Sequence, residues 1–274
     1  MQNPVPYRSE RVMRKINPPM FQFAYHDNSY LSRVVEVVKE EPWGRNYKIL
    51  DLYLKANFEI ARNQGKVYEN DDRNVAFWRA GKLVNRNYDP VRMLYEKNKD
   101  ETKQKWYFKG PHAGDSPVDV DLEMELVYDP PPFNPNYRVT IHEPAIKHIF
   151  EKDVNRDRLQ AVFGDLASNN HLVYRVVIGE IELKRKQSIV LPQWYKGQYQ
   201  FIMPLNLTNP TQVDLVATLT PNVDKKLYEV NTLLLPHYAY PYVRSLVPSR
   251  ESFANWMLMS DDDLQSDDEE ETTD

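Results

Sequence analysis

The sequence predicts an α+β fold, with helices mainly in the first half of the chain and a predominantly antiparallel or mixed sheet in the second. Three observations lead there. Apolar residues recur at helical spacing between residues 29 and 65, they alternate with a period of two in several later runs, and the turns between those runs suit an antiparallel meander. The most regular run covers residues 199–207. It sets Tyr199, Phe201, Met203, Leu205 and Leu207 on one face of a strand and Gln200, Ile202, Pro204 and Asn206 on the other.

With 274 residues and a hydrophobic fraction of 41%, the chain has enough apolar surface for one large domain, and a soluble globular protein is expected. The absence of cysteine excludes disulfides, thiol nucleophiles and thiolate metal sites. There is no basic-then-apolar leader, and no apolar run nears the roughly 20 residues that span a bilayer, so a cytoplasmic or nuclear setting without a membrane partner is expected. The net charge of -5 is unevenly spread. Residues 261–274 carry nine acidic side chains and no Lys or Arg, which leaves 35 basic against 31 acidic residues in the remainder. The expected organisation is a basic extended arm over residues 1–20, one α+β domain over 21–259, and a disordered acidic tail over 260–274.

Taken in order, residues 21–25 suggest a short strand. Ser29 then opens a helix carrying Leu31, Val34, Val35 and Val38 on one side and stopping before Pro42. A second helix from about Tyr47 turns Leu50, Tyr53, Leu54, Phe58 and Ala61 inward and ends near Gln64 and Gly65, with Trp43 read as a hydrophobic plug between the two. Residues 66–68 and 75–78 form a hairpin, Asp89 and Pro90 open a helix containing Met93, Leu94 and Tyr95, and residues 106–110 make a strand. Residues 118–128 alternate apolar side chains with Asp119, Asp121, Glu123 and Glu125, a long half-buried strand with a solvated acidic row. The proline-rich stretch 129–135 is a stiff connector. Beyond it come a strand at 138–142, a short helix opened by Glu143 and Pro144, a helix near 155–166, and strands at 173–183, 199–207, 214–219 and 227–235.

Nucleotide-binding glycine loops, nucleophile elbows and metalloprotease helices do not occur, and the six histidines are scattered. His142 and His148 sit at a strand end and on a helix, so His142 is read as a hydrogen-bonding residue, and no metal or cofactor is expected. The chemistry instead gathers ahead of the strand at 199, where Trp194, Tyr195, Lys196 and Gly197 place two aromatics and a cation in a turn. Gln193 precedes them, Lys184, Arg185 and Lys186 lie just upstream, and Arg156, Arg158, Tyr240 and Arg244 complete the candidate ligand-binding set. Recognition of unpaired RNA needs aromatic faces for bases and cations for phosphates, which this interleaving offers. The competing reading is a basic turn beside core aromatics.

Several segments occur in a definite order: Phe23-Ala24-Tyr25, Glu41-Pro42-Trp43-Gly44, Leu94 to Asn98 followed by Trp106-Tyr107-Phe108, and Asn155-Arg156-Asp157-Arg158. They are followed by Pro192 to Gly197, Pro204 to Leu207, and Asn231 to Leu235 with Ala239, Tyr240 and Arg244. Together they resemble the domain of unknown function 3825 family, found largely in bacteria, over about residues 21–256. The resemblance implies one continuous domain, so that the proline connector is internal. Members are sometimes fused to cold-shock or LOTUS-type RNA-binding modules, which implies work on RNA. This chain departs from the pattern at Phe77-Trp78-Arg79-Ala80-Gly81, where relatives tend to read Phe-Asn-Thr-Gly-Leu. It departs again at Ala239 to Arg244, where they read Ala-Tyr-Asn-Asn-Ala-Arg. The lost asparagines count against catalysis and leave binding open.

The function expected is therefore an RNA- or nucleotide-binding protein of RNA metabolism, using an aromatic and basic surface around a 184–200 hairpin. One alternative is an enzyme that processes nucleotides or RNA ends, with His142, Asn155, Arg158, Gln193, Tyr195 and Arg244 lining a polar site. The other is an adaptor whose acidic tail holds a protein partner, since the sequences after Ser260 and Ser266 resemble acidophilic-kinase sites.

Overall fold

A computed structural model describes residues 18–114, 124–151 and 153–246; most of the N-terminal arm, most of the acidic row and the C-terminal tail lie outside the described residues. The described residues open with α1 (Pro19–Phe23), a two-residue strand β1 (Ala24–Tyr25) and α2 (Tyr30–Val37). Asp27 ties down the start of α2, its carboxylate accepting from the Ser29 backbone N–H at 2.9 Å and the Ser29 hydroxyl at 2.6 Å. In α3 (Lys48–Asn63) the helical period buries Leu50, Tyr53, Leu54, Phe58 and Ala61 as expected. Next come β2 (Val67–Asn70), β3 (Val75–Val84), β4 (Pro90–Lys97) and β5 (Trp106–Ala113), which with β1 form a five-stranded sheet in the order β1-β5-β4-β3-β2. Its pairs are antiparallel except β1 with β5, which is parallel.

The second half contains β6 (Arg138–Thr140), α4 (Glu143–Glu151), α5 (Asp153–Phe163), α6 (Asn170–Gln187), β7 (Leu191–Tyr195), β8 (Gln198–Leu205), β9 (Leu215–Asn222), β10 (Leu227–Leu234) and α7 (Pro236–Arg244). A second five-stranded sheet runs β6-β10-β9-β8-β7, antiparallel from β7 to β10 with β6 added in parallel. The class is α+β with two mixed sheets.

Four expectations are corrected. Helices are not confined to the first half, since α4 to α7 all lie beyond residue 140. Residues 90–97 are a strand because Val91, Met93 and Tyr95 are buried at a period of two; of the Asp-Pro pair that mimicked a helix start, Asp89 closes the preceding turn, where Asn85 accepts its N–H at 2.8 Å, and Pro90 begins the strand opposite Val84. Residues 173–183 are helical: Val173, Val177 and Ile181 recur every four residues on the buried side, and the Asn169 side chain caps the Leu172 N–H at 3.1 Å. Its β-branched residues resemble a strand, but the spacing wins. In place of the long strand at 118–128, the described part from residue 124 carries no strand. Leu126 enters the core and Gln64 holds the Val127 backbone through two hydrogen bonds of 2.6 and 3.0 Å.

Hydrophobic side chains gather in two clusters. The first joins α1, α2, α3 and the first sheet to α7, and also takes Ile202 and Val216 from the second sheet. The second packs α4, α5 and α6 against Phe201, Met203, Leu215, Ala217, Leu219 and Val230. Phe201 and Ile202 are neighbours in sequence yet belong to different cores, so the second sheet is buried on both faces.

Gly81 marks a close approach of α3 to β3. Its φ of 56° is left-handed, and an added Cβ would fall far inside contact distance of the Asn57 and Tyr53 side chains. Those side chains are already committed: the Tyr53 hydroxyl oxygen accepts the Lys82 N–H at 2.8 Å, and Asn57 donates to the Ser245 hydroxyl at 2.8 Å. Gly81→Ala should therefore lower the unfolding free energy by roughly 1–3 kcal/mol, seen as a lower urea midpoint; an unchanged midpoint would refute the close approach.

His26 is packed among the rings of Phe21, Tyr30, Tyr95 and Phe108 at centroid distances of 5.1 to 5.7 Å. Burial pulls its pKa from 6.5 down to about 4, against smaller upward pulls from the Ala24 carbonyl, Asp51 and Asp27. Between these values the unfolded chain binds a proton that the folded chain refuses. Stability from this group is complete above pH 6.5 and is lost as pH falls toward 4, and His26→Leu should flatten that part of the stability profile.

Candidate functional site

The register of the second sheet assembles a polar surface. Gln193 pairs with Gln200, Thr218 pairs with both Ile202 and Thr232, and Thr220 lies two residues from Thr218. All therefore share one face. At one end of that face Leu191, Ile202, Val216 and Leu234 pack on the first core; at the other end the side chains are polar.

Here a cavity of about 500 Å³ opens between the sheet and residues of four helices, α3, α4, α5 and α7. Gln193, Tyr195, Gln200, Thr218, Asn231 and Thr232 form its floor, Tyr238 and Tyr242 come from α7, and Leu52, His148, Lys196 and Arg158 complete the wall.

A hydrogen-bonded row crosses the floor from β7 to β10. Gln193 Nε2 donates to Gln200 Oε1 at 3.0 Å, Gln200 Nε2 donates to Thr220 Oγ1 at 3.2 Å, and Asn231 Nδ2 donates to the same Thr220 oxygen at 2.8 Å. Asn231 reaches it because the ladder shifts register between Val230 and Thr232. Gln193 is only 2% exposed and Gln200 5%, so these amides are sealed from bulk water. Among the described residues the Gln193 Oε1 atom has no hydrogen-bond partner. A buried acceptor left in that state costs about 1–3 kcal/mol, which is tolerated where a ligand can complete it.

The walls add rings and charge. Arg158 Nη1 donates to Asn155 Oδ1 at 3.0 Å and to the Leu233 carbonyl at 3.4 Å, and its guanidinium stands 5.0 Å from the centre of the Tyr238 ring. Asn155 is itself fixed by donating to the His148 carbonyl at 2.6 Å. The Tyr195 and Tyr242 rings meet edge to face at 5.2 Å, and Lys196 Nζ lies 5.2 Å from the Tyr195 ring centre. Burial, with lesser contributions from Tyr195 and Asp51, holds the Tyr242 hydroxyl well above the ordinary tyrosine range, so it remains a donor at neutral pH.

Of the candidates read from the sequence, Arg158, Gln193, Tyr195 and Lys196 converge on this cavity. The others do not. Lys184, Arg185 and Lys186 end α6 and are not part of a hairpin; α6 covers the opposite face of the sheet. There Lys184 binds Asn206 at 2.6 Å, while Arg185 binds Glu182 at 2.8 Å and the Pro135 carbonyl, fastening the proline connector. Arg156 is exposed on α5 and faces a separate depression. Trp194 is half-buried against the first core and edge-on to Tyr199 at 4.9 Å. Tyr240 and Arg244 are buried in a structural clamp. His142 meets Glu229 at 3.1 Å, the hydrogen-bonding role expected of it.

The sequence reading missed Gln200, Thr218, Asn231, Tyr238 and Tyr242. For Gln200 a signal existed, since a glutamine beside Ile202 on the inner face of a buried strand needs a polar partner. Tyr238 and Tyr242 are four apart on one helix, but nothing local says what that helix faces.

The sequence model of the domain of unknown function 3825 family (DUF3825) matches residues 34–252. The chain belongs to that family. No curated protein and no solved structure matches it. Every residue lining the cavity, from Leu52 to Tyr242, lies inside the DUF3825 match.

Also inside it lies the clamp on α7. Glu41 Oε2 accepts from Arg244 Nε at 2.8 Å and from the Tyr240 hydroxyl at 3.0 Å, and Glu41 Oε1 accepts from Arg244 Nη2 at 2.7 Å. The Arg244 and Glu41 side chains are 1% and 6% exposed. Removing one partner strands the other charge in the interior. Glu41→Ala is therefore expected to lower the unfolding free energy by about 3–5 kcal/mol, measured by urea titration, and a loss under ~1 kcal/mol would place the pair among those of little structural value.

Proposed function

We propose that this protein binds single-stranded RNA or a free nucleotide and acts in RNA metabolism, with one nucleotide seated in the cavity between the second sheet and α7. The observation that carries the reading is the convergence, in one space of about 500 Å³, of an amide row in which Gln193 and Gln200 are buried, tyrosine rings and a guanidinium fixed by its own hydrogen bonds. Each part matches a part of a nucleotide. Tyr195 and Tyr242 offer faces and edges to a base, the amides offer hydrogen bonds to its rim, and Arg158 with Lys196 offers charge to a phosphate. The volume also falls in the range of small-ligand sites, about 300–1,000 Å³. We take residues 21–259 as a single unit in this reading, supported by the first core, which draws on both sheets.

Placing the site in the cavity, with the 184–186 cluster on the far face, changes the expected salt response. Two cations facing the ligand neutralise about two phosphates, so log K should fall with log salt at a slope of about -1.4, at ~0.7 per phosphate for single strands.

The test is fluorescence anisotropy with a short labelled single-stranded RNA. Arg158→Ala should weaken binding about tenfold or more through loss of a charge-assisted contact, whereas Lys184→Glu with Lys186→Glu should leave it within about twofold of the parent. Absence of binding at low salt, or loss only in the Lys184 and Lys186 variant, overturns the proposal.

A further inference from the structure

We infer that Asn155, a residue outside the cavity lining, positions the Arg158 guanidinium to receive the phosphate of the bound nucleotide. The inference rests on the nucleotide reading above and deepens it by naming what sets the phosphate contact.

Arg158 and Tyr238 both line the cavity, and the guanidinium is fixed there on two sides. Its Nη1 donates to Asn155 Oδ1 at 3.0 Å and to the Leu233 carbonyl at 3.4 Å, and its carbon stands 5.0 Å from the Tyr238 ring centre. Because the group is planar, an edge held by hydrogen bonds and a neighbouring ring together set the direction of the fork. The shorter of the two bonds comes from a side chain one turn back on α5, and that side chain is itself locked. Asn155 is 5% exposed, and its Nδ2 donates at 2.6 Å to the His148 carbonyl in the last turn of α4. A carbonyl only accepts and a guanidinium only donates, so an amide placed between them has one orientation.

The two acceptors on Nη1 are neutral, an amide and a backbone carbonyl. Two arginines that serve the fold are held on carboxylates, Arg244 on Glu41 at 2.7 Å and Arg185 on Glu182 at 2.8 Å. A carboxylate sets a counter-charge beside the guanidinium and subtracts from its pull on a phosphate, whereas an amide fixes the group without that subtraction. An arginine released from Asn155 keeps its charge but has to be ordered again when the ligand binds, which weakens the phosphate contact by about two- to tenfold.

The experiment is calorimetric titration of the full chain with AMP and with adenosine, which differ only in the phosphate. The parent is expected to bind AMP at least about tenfold more tightly than adenosine, and Arg158→Ala should remove most of that preference. Asn155→Ala should lower the preference by about two- to tenfold while adenosine stays within about twofold of the parent. The double variant should match Arg158→Ala alone within about twofold, since the amide acts only through the guanidinium. Asn155→Asp, of the same shape, keeps an acceptor for Arg158 but adds the counter-charge and loses the donor to His148, so its preference should fall at least as far. Thermal melts establish folding; should Asn155→Ala fail to fold, Asn155→Asp decides, and should neither fold, Asn155 serves only the junction of α4 with α5 and the inference is overturned. It is overturned too if the Asn155 variants weaken both ligands alike, or if only Arg158→Ala alters the preference, and nucleotide binding then stands. Equal binding of AMP and adenosine by the parent has the same meaning. Binding of neither removes the seated nucleotide and the inference with it.

Discussion

The structure depends on the two-sided burial of its second sheet. Helices α4 to α6 cover one face and α7 with the first core covers the other, so strands β8 and β9 carry almost no solvent-facing position. A sheet in that situation has nowhere to put a polar side chain except against another polar side chain. Gln193, Gln200, Thr220 and Asn231 obey this by bonding to one another across four strands, and the space they border is closed by residues from both halves of the chain. The cavity is thus a by-product of how the two halves meet: apolar packing seals one part of the interface, and a hydrogen-bonded network lines the part it leaves open.

Helix α7 is the hinge pin of that arrangement. It has nine residues with Pro241 inside it, a composition that would not hold a helix alone. Tertiary bonds hold it instead. Pro241 still offers its carbonyl, which the Ser245 hydroxyl meets at 3.0 Å, and the buried Arg244 and Tyr240 both fasten on one carboxylate. A buried ion pair of this kind is tolerable because its desolvated atoms are satisfied by hydrogen bonds as well as by charge.

How much was legible in the sequence follows from which residues report locally. In α3 and in β8 to β10, side-chain period and burial agree, and the sequence places these elements within a few residues. For α6 and β4 the local composition pointed one way and the spacing the other; β-branched residues suggested a strand and an Asp-Pro pair suggested a helix, and in both cases tertiary packing followed the spacing. The site was half legible. Gln193, Tyr195, Lys196 and Arg158 stand out by residue type, and they do meet. The lysine and arginine cluster at 184–186 stands out just as strongly but belongs to the other face, because adjacency in sequence says nothing about which side of a sheet a preceding helix covers. The buried roles of Tyr240 and Arg244 depend on Glu41, two hundred residues away in the chain to within a few, and no local pattern can report a partner at that separation.

One consequence of α7 reaches beyond geometry. Tyr238 and Tyr242 face the cavity while Tyr240 and Arg244, on the same short helix, are tethered to the segment that leads into α3. Any ligand that seats against the two tyrosines adds RT ln(1 + [L]/Kd) to the free energy of unfolding, about 2.7 kcal/mol at a hundredfold excess over Kd. Through the Glu41 tether and the packing of α7 in the first core that increment is shared with α3, so occupancy of the cavity slows opening of the first core. Hydrogen exchange in α3 thereby becomes a reporter of an event that α3 meets through Leu52.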